Sequence, residues 1–218
     1  MTTYIEKLES RYTAKKFTPN IAIPPSILSD VKKVLQLSPS STNSQPWHFV
    51  IATSQESKDK IAASARGFYE FNAGKIKDAS AVVVLCTKTT IDTDYTNAIL
   101  AQEEKDGRFP TNEVREMNRK GREFFVLHHR DTIQDAQHWM EKQTFIALGN
   151  LLIGAEHLGL QACPMEGFDY DNLTERLGLA EKGLAPTVIV SLGYGADDDF
   201  NASAPKSRMP QQSVITEI

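Results

Sequence analysis

The stretch Ala79–Thr87, "ASAVVVLCT", is a continuous apolar run with the length of a β-strand. Pro186–Leu192, "PTVIVSL", is a second run of this kind, and such runs are typical of central strands buried on both faces. Trp47–Ala52, "WHFVIA", is rich in aromatic and β-branched residues, which indicates a third strand. Together the three segments predict a central sheet.

Helical patterns surround these strands and occupy more of the chain than the strands do. Their boundaries are marked by start signals at Pro24 and Ser54 and by a C-cap signal at Gly178. The predicted helices are Thr3–Ser10, Pro24–Leu37, Gln55–Arg66, Asp94–Lys105, Asn112–His129, Asp135–Leu158 and Asp171–Leu177. Because no repeat or linker divides the sequence, we expect one α+β domain over residues 1–218.

Two segments need partners that the neighbouring sequence does not supply. The second half of Asp135–Leu158 is almost entirely apolar, and a helix that is apolar all round must be covered on every side. Ser213–Ile218, "SVITEI", has strand character but no strand close to it in sequence. We therefore expect this short strand to pair at a distance.

Charge and hydropathy argue against several classes of partner. The formal net charge of −4 gives no general attraction for nucleic acids or anionic membranes. No apolar run reaches membrane-spanning length, and the N-terminal sequence "MTTYIEKLESRY" has no apolar core typical of a secretory signal. Cys86 and Cys163 are far apart and are expected to be small buried residues. These features predict a cytoplasmic protein that binds neither nucleic acid nor membrane.

Several familiar motifs are incomplete. Gly193-Tyr194-Gly195 lacks the third glycine of a dinucleotide-binding loop, and the acidic run Asp197–Asp199 after it would repel phosphate. The adjacent His128 and His129 lack the spacing of metal ligands, so a solvated helix end is expected there. A serine nucleophile of the GxSxG type is absent.

Three polar segments stay without a structural explanation. Ser40–Trp47, "SSTNSQPW", could be a simple connector between a helix and a strand. Arg11–Phe17, "RYTAKKF", and Pro205–Arg208, "PKSR", could each be a solvated cationic patch. Considered one at a time, none of the three predicts a binding site.

Considered together, these segments belong to a recognisable series of motifs. The series is Arg11-x-Thr13-x-Lys15, "SPSSTNSQPWHF", "FNAGKIKDAS", "DGRF", "GREFF", "PMEGFD" and "FNASAPKSR". In this order and spacing they resemble the oxygen-insensitive NAD(P)H nitroreductases, within the wider nitroreductase and flavin reductase family. The resemblance extends from about Leu8 to the last residue.

The resemblance implies an FMN-dependent homodimer with a nitroreductase-like α+β fold, a mostly antiparallel central sheet surrounded by helices. The two active sites would lie at the subunit interface. The apolar helix around Gly149–Ala155 would be covered by the partner chain, and the C-terminal "SVITEI" would extend onto the partner as an exchanged arm. Both unexplained segments would then have a physical cause.

Roles for individual residues also follow from the resemblance. The residues expected to bind the FMN phosphate are Arg11, Thr13, Lys206 and Arg208. Those expected near the pyrimidine ring or N5 of the flavin are Lys15, Asn72, Lys75, Glu166 and Gly167. The residues expected to reach the flavin from the other subunit are Pro39, Ser40, Ser41 and Asn43. The residues expected to contact nicotinamide or substrate are Thr42, Lys75, Arg108 and Phe125.

Tyr12 departs from the family pattern, since close relatives often carry His or Arg there. Its backbone, more than its side chain, is therefore expected to contribute to cofactor binding. At Gly167 the absence of a side chain would allow a backbone N–H to approach flavin N5.

The implied activity is a two-step, ping-pong transfer of hydride from NADH or NADPH to nitroaromatics, quinones or similar planar acceptors. FMN would carry the chemistry, so no catalytic side chain is needed. Flavin reductase or dihydropteridine reductase activity is an alternative within the family. An FMN-binding carrier with little turnover is an alternative of a different class.

Overall fold

The fold is built on a four-stranded sheet. In the computed structural model, which describes residues 3–218, the strands are β1 (Trp47–Ala52), β2 (Ala81–Lys88), β3 (Gln161–Met165) and β4 (Leu184–Gly193). Their order across the sheet is β1-β2-β4-β3, and every neighbouring pair is antiparallel. The predicted α+β class and antiparallel sheet are thus confirmed.

The central strand β2 is buried on both faces. Val82, Val84 and Cys86 point into one hydrophobic core, while Val83 and Leu85 point into a second. This alternation is the ordinary geometry of a strand, and both cores must be covered by helices because both sets of side chains are apolar. The uninterrupted apolar run predicted this double burial.

Nine α-helices surround the sheet in the described part of the chain. They are α1 (Tyr4–Ser10), α2 (Pro25–Gln36), α3 (Gln55–Ala62), α4 (Ala73–Asp78), α5 (Thr93–Lys105), α6 (Asn112–Leu127), α7 (Ala136–His157), α8 (Tyr170–Leu177) and α9 (Gln211–Val214). Seven of them match a predicted helix. Gly178 has the left-handed conformation (φ 58°, ψ 44°) that its predicted C-cap position requires.

Two elements were missed by sequence reasoning. No strand is predicted around Cys163–Phe168, whereas residues 161–165 form the edge strand β3. Pro164 within this short segment argues against a strand, but an edge position tolerates proline. No helix is predicted at "FNAGK", where α4 begins after a 3₁₀ segment at Gly67–Asn72.

Residues 213–218 form no strand within the single chain. Ser213 and Val214 belong to α9, and Ile215 after them is extended, with φ −129° and ψ 130°. A strand requires a neighbour for its hydrogen bonds, so the pairing of this segment with a partner chain stays a prediction.

One prediction was wrong. The helix end at His128–His129 is not simply solvated, because His129 stacks on Trp139 with ring centroids 4.6 Å apart.

Both cysteines are buried, as predicted. Burial raises the pKa of the Cys86 thiol to about 12 and also raises the pKa of Cys163. Within residues 3–218, no helix is both long enough and apolar enough to cross a membrane.

Helix α7 packs closely against α2 at a single glycine. A Cβ placed on Gly154 would lie 2.8 Å from Val34 Cγ1 and 3.1 Å from Val34 Cγ2. A β-branched side chain in a helix is nearly fixed in χ1, so Val34 cannot readily rotate away. The absence of a side chain at Gly154 therefore sets the distance between the two helices.

We expect Gly154→Ala to lower the free energy of unfolding by about 1–3 kcal/mol because of overpacking. The same substitution in a Val34→Ala background should be neutral or stabilising, since the clash is removed and alanine has the higher helix propensity. Chemical denaturation of the four members of this double-mutant cycle measures the coupling. An equal loss of stability in both backgrounds would contradict the proposed contact.

Candidate active site

A cationic cleft of about 350 Å³ lies between the segment that follows α1 and the C-terminal segment 201–208. Arg11, Lys206 and Arg208 line it, with Glu9 as the only acidic lining residue among those described. Partial burial and the neighbouring charges of Arg11 and Arg208 lower the pKa of Lys206. The cleft therefore holds an excess of positive charge.

One donor in this cleft has no partner. Arg11 Nη1 is buried and forms no hydrogen bond with any residue between 3 and 218. Leaving a charged donor buried and unpaired is costly, and such atoms call for a specific explanation such as a ligand. A ligand with several anionic oxygens would satisfy both the free donor and the excess charge.

Asp199 and Asn201 hold the backbone of residues 13–16, part of which lines this cleft. The buried Asp199 carboxylate accepts backbone N–H groups of Lys15 at 2.7 Å and Lys16 at 3.2 Å. Asn201 Nδ2 donates to the carbonyl of Thr13 at 2.7 Å. Of the acidic run Asp197–Asp199, Asp199 thus has its carboxylate engaged inside the fold.

A second group of predicted residues forms a hydrogen-bond network near Lys15. Lys75 Nζ donates to Asn72 Oδ1 at 2.8 Å, and Asn72 Nδ2 donates to the carbonyl of Gly167 at 2.9 Å. Burial and the charge of Lys15 both lower the pKa of Lys75, although Cys163 opposes this shift. Two lysines thus concentrate positive charge near the segment that follows β3, where Glu166 is exposed and Gly167 is half-buried.

Gly167 is constrained by packing. A Cβ at this position would lie 3.0 Å from Asn72 Nδ2 and 3.0 Å from Tyr69 Cδ1. The glycine therefore permits the hydrogen bond with Asn72, a reason that sequence reasoning did not foresee.

The side chain of Tyr12 is directed against Gly195. A Cβ on Gly195 would overlap the Tyr12 hydroxyl, so the two residues fit together only because position 195 is glycine. Burial, with the nearby charges of Asp199 and Glu156, raises the pKa of Tyr12. Tyr12 still lines the cationic cleft.

The remaining predicted residues line a different cleft, of about 550 Å³. Those that line it are Pro39, Ser40, Thr42, Asn43, Arg108 and Phe125. Ser41 does not line it, and its backbone N–H donates to Gln143 Oε1 at 2.8 Å. The Thr42 hydroxyl oxygen is buried and finds no hydrogen-bond partner in the described part of the chain.

The two clefts have no lining residue in common. Within one chain, therefore, the predicted phosphate ligands and the predicted residues at 39–43 belong to separate surfaces. Four polar residues to which sequence reasoning gave no supporting role hold these surfaces: the buried Asp199 and the half-buried Asn201 at the first, and the buried Glu103 and Arg122 at the second. Two of them lie in motifs of the series, Asn201 in "FNASAPKSR" and Arg122 in "GREFF".

Metal chemistry has no support in these clefts. Among residues 3–218 there is no group of three or more His, Cys, Asp or Glu side chains that could hold a metal ion.

Known proteins with similar sequences show the family to which this chain belongs. The model of the nitroreductase family matches residues 8–194. An oxygen-insensitive NAD(P)H nitroreductase of Salmonella typhimurium is 45% identical over 95% of this chain and 96% of its own length. A major NAD(P)H-flavin oxidoreductase of Aliivibrio fischeri is 33% identical over 97% of both chains.

A solved structure shares the fold. It is a protein of Exiguobacterium sibiricum described as a nitroreductase in complex with FMN, with a TM-score of 0.84 and 22% identity over 100% of this chain and 98% of the other. Since the family model matches most of the sequence and relatives at 45% identity match nearly all of it, the chain belongs to the nitroreductase family.

Proposed function

We propose that this chain is an FMN-dependent NAD(P)H reductase that acts on nitroaromatics, quinones or similar planar acceptors. The observation that carries the proposal is the cationic cleft lined by Arg11, whose Nη1 is buried without a hydrogen-bond partner among residues 3–218. The phosphate of FMN has the charge and the several oxygens that this cleft needs. Relatives named as NAD(P)H nitroreductases support the same activity.

The residues of the cationic cleft and of the network around Lys75 fit FMN in chemical type. Arg11, Thr13, Lys206 and Arg208 would hold its phosphate, while Lys15, Lys75 and Asn72 would bind the pyrimidine end of the ring. When bound, FMN accepts a hydride from NADH or NADPH and delivers it to the acceptor.

Lys15 and Lys75 would supply the field for this chemistry. A cation about 4 Å from a developing negative charge contributes on the order of 4 kcal/mol at an effective dielectric constant of about 20. Since burial lowers the pKa of Lys75, a negative charge placed beside it would restore the preference for its protonated form. Glu166 and Gly167 would border the reactive edge of the ring.

Flavin reductase activity is a second candidate, because a relative named as an NAD(P)H-flavin oxidoreductase matches nearly the whole chain. Dihydropteridine reductase activity would use the same site, since an open stacking site admits many planar molecules. An FMN carrier with little turnover stays the alternative of another class.

The single domain over residues 1–218 and the cytoplasmic location stay predictions.

We further infer that the protein is a homodimer whose partner completes each site. Each chain offers one cationic cleft and one separate cleft at residues 39–43, so a second copy could place the latter over the former. Apolar side chains on α7 are exposed in the single chain, with Phe145 39% and Ile146 43% accessible. Strand β1 also leaves one edge unpaired within residues 3–218, where the partner's C-terminal segment could add a strand.

The decisive experiment is spectroscopic. The purified chain should carry, or take up on addition, FMN with its yellow absorbance. Anaerobic NADH or NADPH should bleach that absorbance, and a nitroaromatic or quinone should restore it. A protein that cannot bind FMN would refute the proposal, whereas stable FMN binding with almost no NAD(P)H oxidation would favour the carrier.

Replacing Arg11 by Met should weaken FMN binding about 10- to 100-fold, because a charged hydrogen bond contributes about 1.5–3 kcal/mol. Titration of apoprotein with FMN, followed by flavin fluorescence, measures this affinity. Lys16→Met is the matched control, since Lys16 pairs with Asp198 on the surface and its side chain is 55% exposed. Equal losses in both variants would argue against a phosphate contact by Arg11.

Ile146→Asp should dissociate the proposed dimer and weaken FMN binding with it, since a charge would be buried at the interface. Light scattering measures the dissociation of the dimer, and titration with FMN measures the loss of affinity. Lys60→Asp, a larger change of charge on the exposed side of α3, should leave both unchanged. A wild-type chain that is monomeric when loaded with FMN would refute the dimer.

A further inference from the structure

The loop Ser40–Gln45 has a backbone conformation that its sequence does not favour. Thr42, Asn43 and Gln45 have φ angles of 51°, 53° and 43°, all in the left-handed region. Asparagine tolerates this region, but a β-branched threonine rarely adopts it. The surrounding structure must therefore impose this conformation.

A buried ion pair is attached directly to this loop. Arg122 on α6 and Glu103 on α5 are only 4% and 5% exposed. Arg122 Nη2 lies 2.7 Å from each carboxylate oxygen of Glu103, and Arg122 Nε donates to the carbonyl of Thr42 at 3.0 Å. The arginine thus links the backbone of a strained residue to two helices.

Glu103 reaches the next residue of the loop. Asn43 Nδ2 donates to Glu103 Oε1 at 2.8 Å, and Asn43 Oδ1 accepts a hydrogen bond from Gln45 Nε2 at 3.1 Å. Both ends of the Asn43 amide are therefore committed within the chain. Between them, Glu103 and Arg122 fix Thr42 and Asn43, the two consecutive residues with left-handed backbones.

Stability alone does not account for this pair. Burial removes hydration from both charges, and exchanging a buried ion pair for apolar residues of similar volume is often neutral or stabilising. What the charged pair supplies is orientation, since an apolar pair could not accept from Asn43 or donate to Thr42. The oriented residues line the 550 Å³ cleft together with Arg108 and Phe125.

We propose that Glu103 and Arg122 are positioning residues for the reductase reaction, an inference that rests on the proposed function. They hold Thr42 and Asn43 in the conformation in which these residues line the cleft for nicotinamide and acceptor. Glu103 and Arg122 also line the cleft but are almost fully buried, so the pair acts through the loop.

The test compares single variants with an apolar double variant of the FMN-loaded protein. Glu103→Gln should lower kcat/KM for a nitroaromatic acceptor at least tenfold and lower the Tm. Glu103→Leu combined with Arg122→Met should restore the Tm but should leave kcat/KM at least tenfold below wild type. A purely structural role predicts that activity returns together with the Tm, and that result would overturn the inference.

The matched control is the Glu104–Arg115 pair, which joins the same two helices at 3.1 Å on the surface. Glu104→Leu combined with Arg115→Met should leave kcat/KM unchanged, and a tenfold loss in this control would overturn the assignment to Glu103 and Arg122.

If the apolar double variant fails to fold, a comparison of the activities of Glu103→Asp and Glu103→Gln tests the inference instead. Asp keeps the charge and should retain more activity than Gln at equal FMN content, while the reverse order would overturn the inference. An inactive FMN-loaded wild type would overturn the proposed function and this inference together. A fully active double variant of an active wild type would overturn the inference alone.

Discussion

The burial of β2 on both faces is the constraint on which the rest of the structure depends. Its side chains belong alternately to two hydrophobic cores, and the β4 strand beside it shares them. Backbone polar groups in such a place can be satisfied only by neighbouring strands, which fixes β2 and β4 as partners. No residue of β1, β2, β3 or β4 lines either candidate cleft, so both clefts are formed by the helices and loops around the sheet.

Each cleft is supported by a buried carboxylate that is fully engaged in hydrogen bonds. Asp199 accepts two backbone N–H groups next to Lys15, and Glu103 accepts from Arg122 and Asn43. Burying a carboxylate is unfavourable unless every oxygen has partners. Because those partners are fixed in direction, both carboxylates determine backbone geometry more than they determine stability.

The sequence alone predicts the elements that have strong periodicity. The apolar runs locate β2 and β4 to within two residues, and only β3 was missed, since Pro164 is an unfavourable signal in a five-residue strand. Pro186 was not disruptive, because it lies opposite Cys86 at a register shift in the β2–β4 pairing.

The residues of the candidate site came from the resemblance to a family. Glu103 lies in no motif of the series, and Arg122 lies in "GREFF" without an assigned role, because charged residues on helices are ordinarily solvated and sequence does not reveal which are buried.

The separation of the predicted residues into two clefts gives a physical reason for a second subunit. In a single chain the three cations of the first cleft and the strained loop of the second both face water, where screening weakens the field of each charge. If a second copy covers the first cleft with its loop, water is excluded and the same charges act at a lower dielectric constant. The loop must then keep its shape while it contacts another chain, and a backbone tied to two helices through a buried ion pair is suited to that task. Exclusion of water from the cationic cleft would thus require both a second subunit and a fixed Thr42–Asn43 backbone.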